Sequence, residues 1–203
     1  MSIVKLNNRS VKDITAFGSI TSLGSLTHIA TQTASSSASL SFTSGINSTY
    51  KEYIFFYVNM NPASDGVFLQ FNGSIDSGSN YNVTKTTTFF NAEHSESGGG
   101  EAVAYQTSRD LAQSTAFANI TRQIGSASKY SCSGYLHLFN PSSSVFVKHF
   151  ISRSNNNRDL STDYQNDNFI SGYFNDTNDI DAVSFQMSSG NIDSGQILLF
   201  GLN

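Results

Sequence analysis

The sequence has no tryptophan, two prolines and a single cysteine among its 203 residues. The lone Cys132 excludes a disulfide within the chain. Charged residues make up only 13 %, about half the ordinary share. Coiled coils need abundant Ala, Glu, Lys and Leu, and disordered chains combine high charge with few aromatic residues. Because aromatic residues make up 12 %, the composition excludes both classes and indicates a globular protein.

Positive charge and long apolar runs are also scarce. Eleven basic residues face 15 acidic ones, which gives a net charge of −4, so we expect no binding to nucleic acid or to anionic membrane surfaces. No apolar run is long enough to span a bilayer. The opening Met1 to Arg9 lacks the apolar segment of a signal peptide. We therefore expect synthesis in a reducing cytosol, although the Ser-, Thr- and Asn-rich composition is typical of exported surface domains. A protein of a virus particle meets both conditions.

Residues 1–35 have little strand patterning and predict an N-terminal docking arm. The arm has three basic residues, Lys5, Arg9 and Lys12, and then a Gly/Ser/Thr-rich run from Gly18 to Ser37. Such a segment buries too little apolar surface to offset the entropy of ordering it. We expect a partner chain to order the arm; packing against its own domain is the alternative. Residues 36–203 then form one domain, and a chain that starts near Ser37 should stay folded.

Short apolar and β-branched segments follow, separated by turn residues, and predict an all-β sandwich of about eight to ten strands. The region Thr107 to Ile124 is expected to be a loop that enters a strand. The last two predicted strands are joined by a polar turn. The predicted strands are Ser39 to Phe42, Tyr53 to Val58, Val67 to Phe71, Tyr81 to Phe90, Tyr135 to Phe139, Val145 to Phe150, Phe169 to Phe174, Ala182 to Met187 and Gln196 to Leu202.

The final segment is unusual because chain ends are normally polar. Gln196 to Leu202 is almost uninterruptedly apolar, and a buried strand needs neighbours for its backbone groups. Its most apolar available neighbour is Tyr53 to Val58. We therefore predict that Ile197 to Phe200 forms an interior strand antiparallel to Tyr53 to Val58.

No catalytic template fits the sequence, so we expect a non-enzymatic protein without catalytic residues, metal or cofactor. His137 and His149 lie in the two strands of a predicted hairpin. We favour hydrogen-bonded or exposed histidines there, because a zinc site needs a third ligand. Three glutamates and a histidine surround Gly98 to Gly100, where a solvated loop tip is favoured over a two-carboxylate glycosidase site. They are Glu93, His94, Glu96 and Glu101.

Two further patterns concern ligands. Asp176 to Asp181 has the composition of a calcium loop, but Ile180 stands at a ligand position and the following glycine is missing. Sugar binding is harder to dismiss, because aromatic platforms beside polar loops are common here. The candidate glycan contacts are Tyr81, Tyr105, Tyr130 and Tyr164.

Three stretches carry a resemblance to a known group of proteins. Ser48 to Asp65 is similar to the opening strand and turn of a jelly-roll module found in phage particle proteins, and Leu136 to Ser142 to its middle hairpin. Ile180 to Leu202 resembles its closing hairpin. The opening Ser2 to Asp13 is similar to the N-termini of marine, cyanophage-like phage structural proteins.

The resemblance covers nearly the whole chain and implies a jelly roll of two antiparallel sheets with an extended arm. It implies a virion structural protein, and we favour a tail-associated fibre or adhesin module over a capsid decoration protein. Two less favoured hypotheses are a virion-associated polysaccharide-degrading enzyme and a soluble lectin. The expected partners are other virion proteins through the arm, copies of the same chain, most simply in a trimer, and a host surface glycan.

Overall fold

The computed structural model describes residues 26–159 and 163–202, and these ranges contain twelve β-strands and no helix. Accordingly, no described helix is long and apolar enough to cross a membrane. The strands are β1 (Leu26–Thr33), β2 (Leu40–Phe42), β3 (Glu52–Pro62), β4 (Leu69–Ser74), β5 (Lys85–Ser95), β6 (Gly99–Tyr105), β7 (Ala118–Asn119), β8 (Cys132–Phe139), β9 (Lys148–Asp159), β10 (Asp163–Phe174), β11 (Ala182–Met187) and β12 (Ile192–Leu202).

The strands form two antiparallel sheets, which confirms the predicted all-β sandwich. The large sheet has eight strands in the order β1-β12-β3-β8-β9-β10-β5-β6, and the small sheet has the order β2-β11-β4-β7. The predicted hairpin that carries His137 and His149 is present as β8 and β9. Whether the connections follow the jelly-roll scheme stays a prediction.

Alternation of side chains builds the core between the sheets. Tyr53, Phe55 and Tyr57 of β3 point inward and are fully buried. Phe55 packs against Phe185 of the small sheet, with ring centroids 5.4 Å apart. Phe71 meets Phe150 edge to face at 4.9 Å. The core is therefore an aromatic layer, which accounts for the abundance of phenylalanine in a chain without tryptophan.

The predicted closure by the C-terminal strand is confirmed. β12 runs antiparallel to β3, with Ile197 opposite Tyr57 and Phe200 opposite Ile54. Ile197 and Leu199 are fully buried. Because β1 pairs with the other edge of β12, the last strand is an interior strand of the large sheet.

The predicted end of the arm at residue 35 is corrected, because β1 belongs to the large sheet. Leu26–Thr33 lies within the expected arm but pairs with β12 over the length of the strand, with Leu26 opposite Leu202. None of its residues is fully buried, so its Thr-rich sequence lacks the alternation by which strands are recognised. Backbone hydrogen bonds hold this edge strand instead. Residues 1–25, with Lys5, Arg9 and Lys12, lie outside the described residues.

The expected closing hairpin is also corrected. Ala182–Met187 and the last strand do not pair with each other: β11 lies between β2 and β4 in the small sheet, and β12 lies between β1 and β3 in the large one. Residues 188–191 between them therefore cross from one sheet to the other. Two apolar segments joined by a turn are the sequence pattern of a hairpin and of a crossover alike, because both arrangements bury the apolar side chains.

A long loop, residues 106–117, together with β7 and residues 120–124, covers the inner face of β5, β9 and β10. This agrees with the prediction of a loop that enters a strand. A buried loop needs partners for its backbone groups, and inward polar side chains supply them. Ser154 Oγ donates to the carbonyl of Ile120 at 2.7 Å, and Asn156 Nδ2 to that of Gln123 at 2.8 Å. The sandwich thus has an aromatic core at one end and a polar interior under the loop.

Candidate functional site: the outer face of the large sheet

The outer face of the large sheet carries a row of eight outward-facing side chains, five of them aromatic and one an arginine. Strand pairing places outward-facing residues of all eight strands side by side, because each register is fixed by its neighbour. We call this set the aromatic–arginine row. Its members, in order across the sheet, are Tyr105, Phe90, Phe169, Arg153, Tyr135, Phe56, Leu198 and Thr31.

The centre of the row is held by stacking and by an ion pair. The rings of Phe90 and Phe169 are parallel, with centroids 4.8 Å apart. The guanidinium of Arg153 lies 4.8 Å from the centroid of Phe169. The same guanidinium donates two hydrogen bonds to the carboxylate of Asp167, at 3.1 and 2.7 Å. This fork holds the arginine in a fixed orientation, and the carboxylate raises the pKa of Arg153.

Tyr135 lies on the other side of Arg153. Its ring meets Phe56 edge to face, with centroids 6.4 Å apart, and Phe56 in turn meets Phe200 at 5.7 Å. Tyr135 is partly buried, and it lines the depressions on both sides of Arg153.

A second outward row runs parallel to the first and is more polar. Thr88 and Ser171 lie opposite each other and share a hydrogen bond between their hydroxyl oxygens at 2.8 Å. Ile151 lies next in the row and is 47 % exposed. Opposite Ile151 is His137, whose Nε2 lies 2.8 Å from a carboxylate oxygen of Glu52.

Three shallow depressions lie side by side on this face. One of 310 Å³ lies between the two rows, against Tyr135, Arg153 and Ile151. One of 280 Å³ lies on the far side of Arg153, beside Asn155 and Asp167. The third, of 410 Å³, continues past Ile151, and its other lining residues include Thr88, His149, Ser171 and Tyr173. We call these three depressions together the outer groove.

The outer groove combines apolar side chains with a few fixed polar groups, which is the usual make-up of a small-ligand site. Phe90 is 42 % exposed and Ile151 is 47 % exposed. Exposed apolar groups concentrated on one face mark contact surfaces more often than scattered ones do. A sugar presents apolar C–H groups beside hydroxyls, so aromatic rings with a bidentate arginine–aspartate pair and threonine or serine hydroxyls match its chemistry.

The four tyrosines predicted to contact glycan are not brought together. Tyr105 alone lies on the outer face, at the end of the aromatic–arginine row, and donates to Asp110 at 2.6 Å. The prediction for Tyr130 is corrected, because this residue is only 3 % exposed and its hydroxyl donates to Asp163. Tyr164 points inward, 4.8 Å beneath the guanidinium of Arg158. Tyr81 is partly buried beside Gly78.

The other candidate residues are also separated. His137 and His149 are not opposite each other, since Ile151 faces His137. His94 and Glu101 lie 3.3 Å apart on the exposed β5–β6 hairpin, but Glu93 turns inward and pairs with the buried Arg158. Within the part of the chain that the structure describes, no three His, Cys, Asp or Glu residues are grouped to hold a metal ion.

Sequence reasoning missed the residues of the outer groove. Tyr135, Arg153, Asp167 and Phe169 occur on three neighbouring strands at alternate positions, but their alignment depends on the register between strands. The available signal is the period-two pattern of β10, in which Asp167, Phe169 and Ser171 alternate with buried residues.

The fold and the groove define the class of the molecule as a two-sheet β-sandwich with an exposed, aromatic-lined sheet face. Comparison with known proteins gives no match to a family model, to a curated protein or to a solved structure. Function must therefore be argued from the groove and from the residues themselves.

Proposed function

We propose that the protein is a non-enzymatic structural protein of a phage particle, and that it acts as a tail-associated fibre or adhesin module whose outer groove contacts a host surface glycan. The observation that carries the proposal is the outer groove, in which Tyr135 and the fixed Arg153–Asp167 pair lie between exposed apolar side chains. The virion assignment is carried over from the resemblance described under the sequence analysis, for which the comparisons with known proteins give no match.

The sandwich suits this role because a sheet is a rigid support for a binding surface. The registers of β8, β9 and β10 place the groove residues without a flexible loop. Polar loops at the ends of the sheets tolerate variation, which suits a surface that faces a host. Residues 1–25 would dock the module to another virion protein, and several copies, most simply three, would present several grooves to one cell surface.

The glycan part of the proposal is tested by binding of the purified protein to host surface polysaccharide on a biosensor. Tyr135→Ala and Arg153→Gln should each weaken binding about tenfold or more, since each removes one of the groove's main contacts. Phe146→Ala is the matched control, because Phe146 is an exposed aromatic residue, 69 % accessible, outside the groove.

Two results would contradict the proposal. Binding that survives both groove substitutions would place the contact elsewhere. Release of oligosaccharide from the polysaccharide during the assay would favour a polysaccharide-degrading enzyme instead.

A further inference from the structure

Beneath the loop that covers β5, β9 and β10, positive charge exceeds negative charge. The carboxylate of Glu93 accepts a hydrogen bond from Arg158 Nη2 at 3.1 Å, and Arg122 Nη2 lies 3.5 Å from the same oxygen. Arg122 also donates to the side chain of Gln106 at 2.6 Å. Arg109 follows in the same turn, with its backbone N–H bonded to the carbonyl of Gln106.

Arg109, Arg122 and Arg158 together with Glu93 are called the arginine cluster here. Two of the guanidiniums, those of Arg122 and Arg158, contact the carboxylate of Glu93, and that of Arg109 lies 4.1 Å from the centroid of the Phe68 ring. The cluster is largely removed from water. Arg158 is 5 % exposed, and the side chains of Arg122 and Glu93 are 12 % and 20 % exposed. Burial, and then the charge of Arg158, lowers the pKa of both Arg109 and Arg122. Buried charge without a counter-charge is costly.

The cluster also has hydrogen-bond donors to spare. The Nε atoms of Arg109, Arg122 and Arg158 are buried and have no hydrogen-bond partner among the described residues. The same holds for Nδ2 of Asn166, a fully buried side chain directly opposite Glu93 on the neighbouring strand. Unsatisfied buried donors cost free energy and in native proteins call for a partner.

We propose that the arginine cluster binds an oxyanion, a carboxylate or phosphate group that supplies the missing negative charge and accepts from the free donors. Planar guanidiniums bind such groups with paired hydrogen bonds. Glu93 accepts only some of the hydrogen bonds that the three guanidiniums can donate. The side chains of Glu93 and Arg122 are 20 % and 12 % exposed, so the cluster reaches the protein surface there. The inference goes beyond the proposed function, because this site lies on the inner side of the sheet, away from the outer groove.

The oxyanion has two candidate sources, free inorganic phosphate and the carboxylate of an acidic sugar. Isothermal titration of the intact protein with sodium phosphate and with sodium glucuronate, at matched ionic strength in chloride, distinguishes them. Saturable binding of phosphate alone assigns the first source, and binding of glucuronate alone assigns the second. Binding of both assigns a general oxyanion site, and binding of neither overturns the proposal.

Two substitutions move the affinity in opposite directions. Arg122→Gln should weaken binding about tenfold or more, because it removes a charged donor. Glu93→Gln should strengthen binding, because it removes the competing carboxylate, and its melting temperature should rise more on adding the anion than that of the unsubstituted protein. Lys51→Gln, at an exposed lysine outside the cluster, is the control.

The outcomes remain decisive if one variant does not fold. Unchanged affinity in folded Arg122→Gln would show that any anion bound lies outside the cluster and would overturn the proposal. If Arg122→Gln is unfolded, the Glu93→Gln variant decides alone: unchanged or weaker binding would overturn the proposal, and stronger binding would support it.

Discussion

Phe90 and Phe169 stack face to face across β5 and β10, with ring planes inclined by only 4° and centroids 4.8 Å apart. The separation equals the spacing of neighbouring strands, so each ring stands upright on its own strand and contacts the next. Arg153 extends the stack by one strand. The sheet register itself therefore arranges the aromatic–arginine row, and a one-residue slip of any one strand would turn that strand's member of the row toward the core.

The stack should be measurable as a coupling energy. We expect Phe90→Ala and Phe169→Ala to be non-additive, with a coupling of about 0.5–1.5 kcal/mol, because each substitution removes the same ring contact. Urea denaturation of the two single variants and the double variant gives the coupling. Strict additivity would show that the two rings do not stabilise each other.

Lys85 makes the stability depend on pH. It is fully buried, its ammonium donates to the carbonyl of Ala116, and burial lowers its pKa to about 7. The unfolded chain, with the ordinary lysine pKa of about 10.5, then binds more protons than the folded protein between pH 7 and 10.5. The free energy of unfolding should therefore rise with pH across this window, by at most about 1.4 kcal/mol per pH unit from this group.

Substitution of Lys85 separates its contribution from that of other groups. Lys85→Met should reduce the slope of stability against pH between 7 and 10.5, and Lys51→Met, at an exposed lysine, should leave it close to the original. Denaturant titrations at four or five pH values measure the slopes. Equal slopes in Lys85→Met and the unsubstituted protein would refute the assignment.

Cys132 should be unreactive in the folded protein. It is 1 % exposed, and burial raises the pKa of its thiol, so the thiolate that reacts with disulfide reagents is scarce. A thiol titration at pH 8 should give almost no reaction in buffer and one thiol per chain in urea. Rapid reaction without denaturant would mean that the β3–β8 region opens readily.

Removal of β1, the edge strand of the large sheet, should lower the stability of the protein. A chain that begins at Leu26 should melt cooperatively, because β1 is retained. A chain that begins at Ser37 exposes the edge of β12, and we expect it to be less stable and to associate, in contrast to the expectation from sequence. Thermal melts with light scattering compare the two. A Ser37 chain as stable and monomeric as the Leu26 chain would show that β1 is dispensable.

Deletion of the residues after Gly195 should unfold the protein. It removes most of β12 and the buried side chains of Ile197 and Leu199, whose burial contributes on the order of 3–6 kcal/mol. That amount is comparable with the whole stability of a domain. Circular dichroism of the shortened chain tests this, and a cooperative melt near that of the full chain would contradict it.

Much of the fold could be predicted because it depends on apolar segments and their mutual burial. The strand at Tyr53 to Val58 and its pairing with Ile197 to Phe200 follow from the need to bury both. β1 and the exposed strand β6 could not be predicted in this way, since both are held by backbone hydrogen bonds with little burial. The outer groove required the register of three strands, and the arginine cluster required contacts between residues 93 and 158, which no local pattern encodes.

The central claim is that the protein is a structural component of a phage particle and presents the large sheet to the host. The most direct measurement is a cryo-electron microscopy reconstruction of phage particles purified from a lysate that contains this protein. The account predicts the sandwich at the tail, with residues 1–25 against another virion protein and Tyr135 and Arg153 facing outward. Density on the head instead would support a capsid decoration protein. Particles that lack the chain altogether would contradict the account.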